Sequence, residues 1–151
     1  MYPFKYGVTL RVTHPAMDPQ QICNGLGLRA SLKQKVGEKR QTPAGTPLSG
    51  VYKDTFCTFD LAPPQGCELE AFIKCCNRRL ESHRRFLNRI SSTGGSAEYF
   101  IGMFLDSNHG VVFDPDVLAQ LTKLQIGLSF DLYGRSNQER KTKQTRRKQS
   151  A

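Results

Sequence analysis

A chain of 151 residues with 38% apolar and 23% charged side chains has material for one domain with a real core. No apolar run approaches the roughly 18 residues of a membrane span, and the start, Met1 to Gly7, lacks the apolar stretch of a secretion signal. The net charge of +9 is concentrated late, where seven Lys or Arg and one Glu follow Gly134, so the rest is only mildly basic and the tail has the composition of a nucleic-acid binder.

Tyr6 to Thr13 reads as a strand, because Val8, Leu10 and Val12 alternate with Thr9, Arg11 and Thr13. His14-Pro15 ends it, since proline has no N–H for a ladder. Asp18-Pro19 opens a short helix: Asp18 accepts from free amides, and Pro19 fills the first position, where a missing N–H costs nothing. Ile22 and Leu26 form its apolar face, and Gly25 and Gly27 cut it short.

Residues 29–50 lack a clear period, with Arg29, Lys33, Lys35, Lys39 and Arg40 set among Gly37, Pro43, Gly45, Pro47 and Gly50. Two readings stand: a functional insertion of the kind long loops often are, or a hairpin through Leu32 to Val36 followed by a surface turn. Tyr52 to Leu61 returns to strand, with Tyr52, Phe56, Thr58 and Asp60 on one face and Lys53, Cys57, Phe59 and Leu61 on the other. Pro63 to Gly66 is a turn.

Glu68 to Ser92 reads as one long helix, about seven turns, with Leu69, Phe72, Ile73, Cys76, Leu80, His83, Leu87 and Ile90 on one stripe. Gly94-Gly95 stops it, and Glu98 to Leu105 follows as an aromatic-rich strand. After a turn at Asp106 to Gly110, Asp114-Pro115 repeats the earlier capping device, with Val117, Leu118, Leu121 and Leu124 as the apolar face and Gly127 as the breaker. Leu128, Phe130 and Leu132 alternate as the last strand.

Strand, Asp-Pro helix, strand thus occurs twice. The pattern predicts an α+β fold: helices on one face of a mixed, mostly antiparallel sheet of four or five strands, loosely ferredoxin-like, with two β-α-β units joined by the long helix. Residues 1–133 are expected to form this single domain and residues 134–151 a basic disordered tail, which has no apolar residue before its final alanine.

The assembly of Asp18-Pro-x-x-Ile22-x-x-x-Leu26-Gly-Leu28, then Gly37-x-x-Arg40-x-Thr-Pro43-x-Gly45-x-Pro-Leu48-x-Gly50, then Gly94-Gly95 before a Phe-rich strand, and the closing Leu128-Ser-Phe-Asp131-x-Tyr133 resembles bacterial proteins grouped as domain of unknown function 4279. The order of the pieces carries the match, over about residues 5 to 133. The resemblance implies a small cytoplasmic α+β domain and supplies no activity.

Candidate chemistry is sparse. Cys76 and His83 share the helical stripe, but seven residues at 1.5 Å set them roughly 10 Å apart, too far for a nucleophile–base pair. His83 therefore reads as a satisfied core or boundary histidine. Cys75 and Cys76 point to different faces, and five cysteines without repeated spacing read as free thiols in a reducing cytosol. The Asp106-x-Asn108 turn opens like a calcium loop, yet Val111 and Val117 stand where glycine and glutamate are required, and the three histidines are scattered. No metal, cofactor or catalytic residue is expected.

The leading reading is a non-catalytic, cytoplasmic interaction module that meets a protein or anionic partner through Lys39, Arg40, Thr42, Gly45 and Tyr52. The alternative is a nucleic-acid-associated protein acting through this basic loop and the tail residues Arg140, Lys141, Lys143, Arg146, Arg147 and Lys148. Arg78, Arg79, Arg84, Arg85 and Arg89 add a positive helix face, on which Glu81 is placed to pair with Arg78 or Arg85. The free edges of a small sheet leave room for a homodimer, and no membrane partner is expected.

Overall fold

Alternation makes the first strand the middle of the sheet. In the computed structural model, which describes residues 4–134, β1 (Lys5–His14) buries Val8, Leu10, Val12 and His14 on one face. The basic tail lies outside the described residues. β5 (Thr55–Leu61) pairs antiparallel on one side of β1, setting Leu10 opposite Phe59 and Val12 opposite Cys57. β6 (Ser96–Leu105) pairs antiparallel on the other, setting Leu10 opposite Tyr99 and Val8 opposite Ile101. β2 (Leu32–Gln34) is the edge beyond β5, and β7 (Ile126–Gly134) the edge beyond β6, to which it runs parallel. The order is β2-β5-β1-β6-β7: a mixed, mostly antiparallel five-stranded sheet among the described residues.

The helices cover the face that holds Leu10, Phe59 and Tyr99. α1 (Pro19–Leu26) contributes Ile22 and Leu26, α2 (Leu69–Leu80) Phe72, Ile73 and Cys76, α3 (Arg84–Ser92) Leu87 and Ile90, and α4 (Pro115–Leu124) Val117 and Leu121 to one core cluster. The architecture is therefore α+β, as the periodicity implies. β1-α1-β5 closes antiparallel, whereas β6-α4-β7 closes parallel. On the opposite sheet face the Arg11 guanidinium lies 3.5 Å from the Phe100 ring centroid and 3.9 Å from the Glu98 carboxylate. No helix among the described residues is long and apolar enough to cross a membrane.

Both Asp-Pro signals cap helices as expected. Asp18 Oδ1 accepts the Gln20 amide at 2.8 Å while Gln21 Oε1 accepts the Asp18 amide at 3.1 Å, a capping box. Asp114 Oδ1 accepts the Val117 amide at 3.0 Å, and its Oδ2 meets Lys74 Nζ at 2.7 Å, tying α2 to α4.

Three local expectations are corrected. The helix over 68–92 is not continuous: a 3-10 turn at Glu81–His83 separates α2 from α3. Three residues per turn replace 3.6 there, so the second half swings onto the end of α1. As a result Glu81 pairs with Arg84, at 3.3 Å, rather than with Arg78 or Arg85. Residues 29–50 are neither a structureless insertion nor a hairpin through Leu32 to Val36: β2 joins the main sheet by pairing with β5, and β3 (Lys39–Gln41) with β4 (Pro47–Val51) makes a separate two-stranded sheet. Finally, α4 stops at Leu124 because Gln125 takes the left-handed conformation (φ 55°), and Gly127 lies within β7.

Candidate functional site

The end of α1 and the 3-10 turn are fitted to each other by two glycines. A Cβ on Gly25 would lie 2.3 Å from the Phe86 ring, so only glycine lets that ring close over the helix. Gly27 turns the chain out of α1 at φ 62°, and a Cβ there would sit 3.4 Å from His83 Cε1. His83 Nδ1 donates to the Gly25 carbonyl at 2.9 Å, which fixes the orientation of the ring.

This junction leaves a pocket of about 240 Å³. Leu26, Leu28, Leu61 and Leu80 line it with apolar carbon, Cys76 adds a thiol, and Arg79 and His83 bring the polar groups. Burial pushes the Cys76 thiol up to about 12, with Cys75 adding to the shift and the Arg79 charge opposing it, so near neutral pH the pocket faces S–H and not thiolate. Arg79 is exposed and has no acidic partner among the described residues. The pocket thus offers a guanidinium fork and an imidazole above a hydrocarbon floor.

On the far side of the Gly27–Leu28 turn lies a wider groove of about 640 Å³, bordered by Arg29, Lys33, Gln20 and Asn24. Lys33 Nζ reaches Gln20 Oε1 at 3.5 Å across it. Positive charge therefore flanks the α1 terminus on both sides. Among the described residues no cluster of three His, Cys, Asp or Glu side chains could hold a metal ion.

The residues singled out from the sequence lie elsewhere. Lys39 and Arg40 stand exposed on β3, where Arg40 Nη1 donates to the Ser49 carbonyl at 3.3 Å. Thr42 and Gly45 build the turn: the Gly45 amide donates to the Thr42 carbonyl at 2.8 Å, and Gly45 has φ 86°. The Tyr52 hydroxyl donates to the Gln41 carbonyl at 3.2 Å and accepts from its amide at the same distance. The structure brings these five into one hairpin, none of them lining either depression. Arg140, Lys141, Lys143, Arg146, Arg147 and Lys148 lie outside the described residues.

His83 is a half-buried boundary residue with its Nδ1 satisfied, as its place on the stripe suggests. What the sequence does not disclose is its neighbourhood beyond Arg79, one helical turn before it, because Gly27 and Leu61 reach it only through the packing of separate elements. The one available signal was the pair Gly25 and Gly27, which reads as helix termination but also marks close approach.

A family model described as Domain of unknown function (DUF4279) matches residues 4–135. Neither a curated protein nor a solved structure matches the chain.

Proposed function

The chain belongs to the DUF4279 family, a domain of unknown function, and from that premise we propose that it is a non-catalytic binding module for a small apolar molecule carrying one carboxylate. The observation behind this reading is Arg79, without an acidic partner among the described residues, at a pocket whose apolar wall is four leucines. A guanidinium with no carboxylate of its own recognises one on a ligand in bidentate fashion, and the leucines take the apolar body. The volume of about 240 Å³ equals roughly eight water volumes, which sets the ligand at the size of benzoate or hexanoate. The high thiol value of Cys76 favours binding over nucleophilic chemistry.

The test is a two-dimensional amide NMR titration with hexanoate and benzoate beside their uncharged amides. Carboxylates should shift the amides of Gly25 to Leu28 and of Arg79 to His83, and Arg79→Gln should weaken binding about tenfold, the worth of one charged hydrogen bond. Equal binding of the amides, or no shifts near α1, removes this reading.

The exposure of Lys39 and Arg40 on the β3–β4 hairpin supports a second reading, in which the hairpin joins the tail in electrostatic contact with nucleic acid.

A further inference from the structure

We propose that two copies of this chain pair antiparallel along β7, about a two-fold axis at Phe130, to form one continuous sheet. The outer edge of β7 carries no strand among the described residues. It is nine residues long with neither lysine nor proline nor a bulge, and its one charge is Asp131. The opposite edge, β2, has three residues and carries Lys33. Large apolar side chains also stand open along β7: Phe130 is 44% exposed, Leu132 61% and Tyr133 48%.

The strand's own complement is itself. Residues opposed in an antiparallel pair share a sheet face, so a two-fold axis must fall on a residue and not between two. With the axis at Phe130 all nine residues are opposed: Leu128 meets Leu132, Ser129 meets Asp131, and exposed Gly127 leaves room for Tyr133. With the axis at Asp131, carboxylate would face carboxylate, which is destabilising. With the axis at Ser129, Tyr133 and Gly134 would have no opposing residue in the strand.

An independent feature fits the same register. A groove of about 500 Å³ runs beside the start of β7, lined by Leu118, Leu121, Ile126 and Leu128. Leu132 lies on the helix-bearing face, level with buried Met103, yet is itself the most open residue of the group. In the Phe130-centred pairing, Leu132 of the second copy arrives beside Leu128, at the mouth of that groove. The two-fold makes this contact twice, as an isologous interface requires.

Sedimentation equilibrium of the full chain tests the proposal, with circular dichroism to verify folding. The wild-type chain should show twice its 17.0 kDa mass at concentrations up to about 100 μM. Leu132→Lys, at an open position, should weaken association at least tenfold, and Phe130→Lys should do the same. In a Cys75→Ser background, Phe130→Cys should form a disulfide-linked dimer on mild oxidation, because residue 130 faces its own copy, whereas Ser129→Cys should not. A monomer throughout, or a dimer untouched by both lysines, would overturn the pairing. Cross-linking at Ser129→Cys but not at Phe130→Cys would overturn the register.

Discussion

At Gly25 a methyl group would displace the half-buried Phe86 ring, which a Cβ would meet at 2.3 Å. The ring can swing aside and alanine is the better helix former, so Gly25→Ala should change stability by less than about 1 kcal/mol, read as the midpoint of urea unfolding. The same substitution pushes the ring away from α1 and disturbs the bond from His83 Nδ1 to the Gly25 carbonyl. Carboxylate binding should fall with it. The thiols provide a second residue-scale prediction. Burial pushes Cys57 as well as Cys76 up to about 12, whereas Cys75 is exposed. A disulfide reagent at mildly alkaline pH should label Cys75 promptly and leave Cys57 and Cys76 until the chain unfolds. Rapid labelling of Cys76 in the folded protein would reopen a thiol mechanism.

Among the elements, those with a strict period were legible and those shaped by a neighbour were not. β1 follows from the alternation of Val8, Leu10 and Val12, and α1 and α4 from their Asp-Pro starts, because caps and pleats are local physics. The break at Glu81–His83 contains no proline or glycine, so nothing in the stretch announces it. It exists because the turn packs on the end of α1, a contact between residues 58 apart in the chain. The pocket shares that origin, and so stayed hidden while each of its residues was in view. The α2–β6 contact makes a further element-scale prediction. Tyr99 donates to Asn77 Oδ1 at 2.9 Å inside the core, and Asn77 Nδ2 donates to Gln120 Oε1 at 3.1 Å. Tyr99→Phe leaves a buried acceptor unmatched and should cost about 1–3 kcal/mol in urea unfolding. A loss below a few tenths would mean that the amide is satisfied in another way.

For the molecule as a whole, charge acts through pH and through salt. The hydrogen bond from Lys35 holds the Asp18 carboxyl below its ordinary 3.8, and the bond from Lys74 does so for Asp114. Groups with depressed values stabilise the fold above the unfolded value, and that contribution is lost as pH falls through the folded one. Melting temperature should thus stay level above about pH 5 and drop below pH 4. Asp18→Asn with Asp114→Asn, which keeps side-chain caps, should flatten the drop. Salt separates the two surfaces considered for nucleic acid. If the tail is an anchor, the full chain should bind generic duplex with an affinity that falls steeply as salt rises, and a chain cut after Gly134 should not bind. Equal, salt-steep binding by both would place the contact on the β3–β4 hairpin, around Lys39 and Arg40.

The place of β1 bears on how the chain is made. Within its sheet it is the first strand in the chain, yet both of its neighbours come late, β5 ending at residue 61 and β6 at residue 105. At about 5–20 residues per second, several seconds pass on the ribosome between the emergence of the sheet's centre and the arrival of its second flank. Its hydrogen-bonding edge toward β6 stays open through that interval, although α1, α2 and α3 emerge within it to cover Val8, Leu10 and Val12. Nascent chains stalled before residue 105 should accordingly be protease-sensitive along β1, and those stalled after β7 protected.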